Sequence, residues 1–268
     1  MNTPLLKIEN LSLTYHSSRG ETEALKNVNF DVNVGEFIAI VGPSGCGKTT
    51  LLNIIGGLLQ KSRGNIYLDG KKIYEENSKK HQFNNNIGYM FQRDHLFEWR
   101  TILDNVKLGL EFDKKLTKSE KIKKEEYILF LLEKYGLIDF KNKYPRELSG
   151  GMRQRVALIR TLALNPKILL LDEPFSALDF QTRLKVCDDV SNIITKENKT
   201  ALLVTHDISE AISLSDKILV LSKRPATVKK IVDIDLKSSG LPLKRRENKN
   251  FSKYFEEIWR NIKDEEKE

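Results

Sequence analysis

One run of residues constrains this chain more than any other: Phe37-Ile-Ala-Ile-Val41 leads directly into Gly42-Pro43-Ser44-Gly45-Cys46-Gly47-Lys48-Thr49-Thr50. The apolar pentad predicts a buried strand, and helical spacing follows from Thr49 to Leu59, ending near Gly56-Gly57. Between them the glycines match G-x-x-x-x-G-K-[ST], in the strand–loop–helix setting that this motif requires. Without Cβ atoms in the way, backbone N–H groups converge on phosphate oxygens, and the helix N-terminus adds its partial positive charge. Lys48 is spaced to reach terminal phosphates, and the Thr49 hydroxyl to ligate Mg²⁺. A nucleotide site is therefore expected here. Cys46 lies inside the loop, where a helix N-terminus could lower its thiol pKa, although an inert small filler is the commoner role.

A second signal supports the first. Ile168–Leu171 is an apolar run that ends in Asp172-Glu173-Pro174. Such a strand delivers two carboxylates to its C-terminal edge, where open α/β sheets bind ligands. Asp172 suits a Mg²⁺ site and Glu173 the polarising of an attacking water. His206 closes another apolar strand, Ala201–Val204, and a parallel neighbour would set it beside Glu173 to orient and sense a terminal phosphate.

The rest of the chain divides coarsely. Residues 5–41 carry short apolar bursts that read as several strands, and NIYLDGKKI predicts a hairpin turning at Asp69-Gly70. Residues 101–164 show spacings of three and four, a helical block set between two strand-containing halves. From Lys167 strands and helices alternate, with helices through Leu178–Ile194 and Ser209–Ser215. Beyond Pro225 come strands in TVKKIVDID, a loop at Ser238–Pro242 and an amphipathic helix around Phe251–Ile262. Parallel strands with crossover helices fit an α/β core.

Composition limits what else the chain can be. It has 268 residues, with 40% hydrophobic and 31% charged, enough to bury a core and too apolar for a disordered chain. Mean hydropathy is −0.42, and no apolar run nears the roughly 18 residues of a bilayer span. The N-terminus lacks a basic stretch followed by a long apolar one, so no secretory signal is expected. Two cysteines, Cys46 and Cys187, cannot build a disulfide framework or a zinc module. A soluble protein of a reducing compartment is expected. The net charge of +8, locally dense at Lys114–Lys124 and Lys244–Lys253, is open to nucleic acid, an anionic membrane surface, an anionic ligand or plain solvation.

Leu148-Ser149-Gly150-Gly151-Met152-Arg153-Gln154 forms another glycine-opened helix start, with Met152, Val156, Ile159 and Ala163 on one face. One nucleotide has no use for two cradles in one protomer, so each is expected to face a nucleotide held by a second copy. Here the chain closely resembles the ATP-binding subunits of ATP-binding cassette (ABC) transporters over roughly residues 5–225. LSGGMRQR resembles the signature motif, GPSGCGKTT the phosphate loop, ILLLDEP the acidic strand, SALD at Ser176–Asp179 the following loop, and Thr205-His206 the switch histidine. Gln92 falls at the Q-loop glutamine and Tyr15 where an aromatic stacks on adenine.

The resemblance implies a P-loop NTPase (RecA-like) α/β core, with a small antiparallel β subdomain and an inserted α-helical subdomain. On that division 1–92 and 165–230 form the core with the β subdomain, 93–164 the helical subdomain, and 231–268 a C-terminal extension with a final helix. It implies catalysis by Glu173, His206 and Gln92, and Mg²⁺ held by Thr49, Gln92 and Asp172. ATP would lie on Tyr15 and the phosphate loop, facing Ser149, Gly150, Gly151 and Asp179 of the second protomer in a head-to-tail homodimer. Transmembrane permease subunits, an indirect extracellular or periplasmic binding protein, and a peripheral place on the cytoplasmic membrane face follow, with no nucleic acid partner. Phe97-Glu-Trp99-Arg100-Thr101-Ile-Leu-Asp104-Asn105-Val106 is similar to the L-x-W-R-T-x-x-D-N-V stretch of nitrate/sulfonate/taurine importers, with thiamine-pyrimidine-precursor carriers as the alternative. Glu98 stands where that group has proline. A soluble cassette acting on ribosome or DNA, an exporter ATPase and a non-catalytic regulator are the rival classes.

Overall fold

The computed structural model describes residues 3–18, 20–74, 84–112, 116–236 and 240–267, the last four of these without side chains. Lys114 and Lys115 of the first lysine-rich stretch, and Ser238 and Ser239 of the expected loop, lie outside the described residues. The chain runs β1 (Leu6–Ser17), β2 (Gly20–Val32), β3 (Phe37–Val41), α1 (Lys48–Ile55), β4 (Arg63–Leu68), β5 (Lys71–Ile73) and β6 (Ile87–Met90). Then come α2 (Ile102–Phe112), α3 (Lys118–Lys134), α4 (Gly150–Leu162), β7 (Ile168–Asp172), α5 (Phe180–Lys196), β8 (Thr200–Val204) and α6 (Ile208–Leu214). The chain closes with β9 (Lys217–Leu221), β10 (Val228–Asp233), α7 (Pro242–Arg245) and α8 (Phe251–Lys267).

The described strands form two sheets. The central one has the order β10-β9-β3-β8-β7-β6, parallel except for β10. The second is antiparallel, β2-β1-β4-β5. The α/β core with its antiparallel β subdomain and helical insertion is thus as the sequence led one to expect. Both faces of the central sheet are covered, which is why its strands read as unbroken apolar runs. On β7, Leu169 and Leu171 join a core with α2–α5, while Ile168 and Leu170 face α1 and the antiparallel sheet. A third core gathers Ala39 and Val41 of β3, α6, β9, β10 and α8.

Local chemistry sets the boundaries. The Asp69-Gly70 turn has both residues at positive φ, 52° and 71°, the twist that a two-residue hairpin needs. Thr117 and Glu120 cap α3 reciprocally, and Asp207 caps α6. α5 starts at Phe180, not Leu178, because Asp179 is its N-cap. The strand β6 was not anticipated: four residues with a central glycine carry no periodic signal. Gly88 permits it, since a Cβ there would meet Thr161 Cγ2 of α4 at 2.6 Å. Residue 231 falls inside β10, so the final stretch from 231 onward shares the central sheet and the third core.

Candidate functional site

The strand order brings the expected residues to one edge. β3, β7 and β8 are adjacent and parallel, so the loops after them open side by side. There Ser44, Gly45, Gly47, Lys48, Thr49, Thr50, Glu173, His206 and Arg224 line an open cleft of about 420 Å³. Lys48 is buried, and its ammonium donates to the carbonyls of Gly42 and Pro43, both at 2.9 Å, across the mouth of the loop. Gly47 is at φ 125°, and Gly42 lies so close to β9 that a Cβ would meet Leu221 O at 2.9 Å. Only glycine serves at both positions.

The Thr49 hydroxyl donates to Asp172 Oδ1 at 3.0 Å. Tyr89, on β6, lies 2.7 Å from Asn53 Oδ1 and 3.3 Å from Asp172 Oδ2. The phenol O–H is shared between these two acceptors, with the asparagine the nearer. Burial raises the Asp172 pKa, and the bonds from Thr49 and Tyr89 do not offset it. Burial and the Asp172 charge push the Tyr89 phenol up as well. A buried carboxylate whose hydrogen-bond donors are neutral, next to a threonine hydroxyl, suits a hard divalent cation.

Glu173 is the meeting point of three loops. Gln92 Nε2 donates to its Oε2 at 3.2 Å, and His206 Nδ1 lies 3.2 Å from the same oxygen. A carboxylate only accepts, so Nδ1 carries the proton in that contact. Glu173 itself sits at φ 44°, a conformation costly for a non-glycine residue, held by its N–H to Val204 O at 2.9 Å. Its side chain is part of the cleft lining. His206 is steadied from behind, where Thr205 Oγ1 donates to buried Glu210 at 2.7 Å.

Tyr15 lies on β1 with its hydroxyl 3.3 Å from Thr50 Oγ1, beside the phosphate loop but outside the cleft lining. Cys46 is buried, and burial raises its thiol pKa, against the lowering that a helix N-terminus alone would give. Ser149, Gly150, Gly151 and Asp179 are not among the cleft residues of their own chain. Ser149 caps α4 by accepting from Met152 N at 3.3 Å, and Asp179 caps α5 by accepting from Thr182 N at 3.0 Å. Gly151 has a packing reason too: a Cβ would meet Val186 Cγ2 of α5 at 2.9 Å.

The W-R-T-x-x-D-N-V stretch is a built surface. Fully buried Asn105 accepts from Phe97 N at 2.7 Å and turns its amide toward the carbonyls of Phe97, Arg100 and Thr101. This holds Phe97 against Trp99, ring centroids 4.8 Å apart, and leaves Trp99 74% exposed. Glu98 finds a partner in Arg153 of α4 at 3.3 Å, which also grips Asp94 at 2.7 Å. Arg160, one helical stretch further on, donates to the carbonyls of Asp94 and His95 at 2.6 and 2.7 Å. Sequence reading had not singled out Tyr89, Arg160 or Arg224. Tyr89 stands on the unanticipated β6, and the two arginines carry no signal beyond charge.

A profile of the family described as ABC transporter matches residues 25–176. The "uncharacterized ABC transporter ATP-binding protein YtlC" of Bacillus subtilis (strain 168) is 47% identical over 264 residues, covering 98% of this chain and 97% of that protein. The nitrate import ATP-binding protein NrtD of Synechocystis sp. is 39% identical over 258 residues, with 94% of this chain and 93% of the relative covered. Among solved structures, the ATP-binding cassette MJ0796, in a dimeric post-hydrolysis state bound to ADP and Pi, matches with a TM-score of 0.69 at 34% identity. That match covers 86% of this chain and 99% of the other.

Proposed function

The chain belongs to the ABC transporter family, where it resembles the nitrate/sulfonate/taurine-type importer ATPases, and from that premise we propose that it powers uptake of such a small solute through a separate membrane permease. It is an ATPase of that family. The observation that carries the reading is the convergence of Gln92 and His206 on Glu173 Oε2, in the cleft that the phosphate loop lines.

The phosphate chain of ATP lies along the backbone N–H groups of the loop after Pro43, and Lys48 exchanges its two carbonyl contacts for phosphate oxygens. Tyr15 offers its ring to the adenine. Thr49, Asp172 and Gln92 would hold Mg²⁺, which would supply positive charge to neutralise the phosphate oxygens. Glu173, already oriented by two partners, accepts hydrogen from the attacking water and lines it up with the terminal phosphate. His206 is placed to trade its Glu173 contact for that phosphate and so report its presence. Most of the rate comes from positioning and fixed charge.

Ser149, Gly150, Gly151 and Asp179 complete the site of a second copy in a head-to-tail homodimer that ATP closes and hydrolysis reopens. The exposed Phe97–Trp99 surface takes a helix of the permease. Arg153 and Arg160 link that surface to the signature helix α4, so its motion reaches Ser149 as a rigid unit. The protein works at the cytoplasmic face of the membrane, fed indirectly by a binding protein on the other side. Part of the +8 charge serves ATP and the anionic inner leaflet.

Glu173→Gln is expected to lower ATP turnover to background while ATP binding persists, measured by phosphate release and by titration calorimetry. Unaltered turnover would refute the role of Glu173. Co-purification of the native complex is expected to bring a permease; a ribosome or DNA in its place would overturn the transport reading.

A further inference from the structure

The loop Ser222–Thr227, between β9 and β10, reaches the cleft from the side opposite the acidic strand end. We propose that its Arg224 is a second phosphate-binding cation of the nucleotide site, joining Lys48 on the polyphosphate chain. The inference rests on the reading of that cleft as an ATP site.

Arg224 lines the same cleft as Ser44, Lys48, Glu173 and His206. Its Nη2 donates to Gly45 O of the phosphate loop at 2.8 Å. Among the described residues no carboxylate lies within ion-pair distance of it, so its charge is held by a neutral carbonyl alone. A phosphate oxygen offers the guanidinium a full negative charge that the carbonyl lacks, and the flat fork of donors matches phosphate geometry.

The loop that carries Arg224 is fixed rather than free. Ser222 N donates to Thr227 O at 3.0 Å, and their hydroxyls lie 3.1 Å apart. Ala226 is fully buried and bonded twice to β2: its N–H to Ala24 O, and its carbonyl to Lys26 N, each at 2.9 Å. The phosphate loop is keyed to the same place, since a Cβ at Gly47 would meet Leu25 Cδ2 at 3.0 Å and Ala24 O at 3.3 Å. Residues 24–26 of β2 therefore set the distance between the two loops. An arginine delivered with this precision, and left without an acid, is arranged for an anion in the cleft.

The test is equilibrium binding of ATP and ADP to wild type, Arg224→Gln and Arg224→Lys, with the melting temperature of each nucleotide-free protein as control. Arg224→Gln is expected to weaken both nucleotides about 3- to 10-fold, the range of one partly exposed charge-assisted bond. Arg224→Lys, which restores the charge, is expected to lie closer to wild type than to the glutamine variant. The deficit should shrink at about 0.5 M KCl, where screening reduces the contribution of an exposed cation. The nucleotide-free melting temperatures should agree. Wild-type affinity in Arg224→Gln, or a lysine variant no better than glutamine, would overturn the proposal. A wild type that binds no ATP would instead overturn the nucleotide reading, and this inference with it.

Discussion

Asp172, behind Thr49 of the cleft lining, is a carboxylate out of water whose hydrogen-bond donors are neutral hydroxyls. Its raised pKa expresses the cost of that burial. Asp172→Asn is therefore expected to raise the melting temperature of the nucleotide-free protein by about 1–4 °C, while abolishing the Mg²⁺ dependence of ATP binding. Thermal melts and calorimetry with and without Mg²⁺ check both halves. A lower melting temperature with the Mg²⁺ dependence intact would remove Asp172 from its place. At this scale the residue types were legible where a spacing announced them, as in Gly42–Thr49 and Asp172-Glu173. What was hidden is conformational. Nothing in ILLLDEP says that Glu173 takes φ 44°, and nothing in SKRPAT says that Arg224 turns toward Gly45.

Elements are tied together by polar groups that lie far apart in the chain. Glu197, at the end of α5, accepts from Tyr135 at 2.6 Å, Lys134 at 2.7 Å and Tyr127 at 3.1 Å, fastening α3 to the core. Burial alone would raise its pKa, but Lys134 and the two phenols outweigh burial and hold it below the ordinary 4.5. A carboxylate with a depressed folded-state pKa stabilises fully above its unfolded value and loses that contribution as pH falls through the folded one. Glu197→Gln should therefore cost about 1–3 kcal/mol at neutral pH, read by urea unfolding. The gap to wild type should stay constant down to about pH 5.5 and narrow only below about pH 4.5. A gap that widens on acidification would contradict the assignment. Helices α2–α4 were readable from their spacing because each buries one face. Strand β6 was not, since it depends on the close fit of Gly88 against Thr161, which no local pattern records.

In the whole molecule three cores meet on one central sheet, and the C-terminal helix belongs to the third. Ile258 of α8 is fully buried with Val232, Ile234 and Ile212. Ile258→Ala is expected to cost about 2–4 kcal/mol in unfolding free energy without changing ATP affinity, because the helix does not line the cleft. Reduced ATP affinity with unaltered stability would mean that α8 acts on the site and not on the core. The order of parallel strands, which sets Asp172 beside Thr49 and His206 beside Glu173, follows from long-range pairing that a linear pattern only suggests. Ser149–Gly151 are not among the cleft residues of their own chain, and the proposed function assigns them to the cleft of a second copy. The most direct test is the solution mass of Glu173→Gln, by light scattering, with and without MgATP. The account predicts 30.9 kDa without nucleotide and about twice that with it. A mass that stays at 30.9 kDa in saturating MgATP would contradict the shared site at the centre of the account.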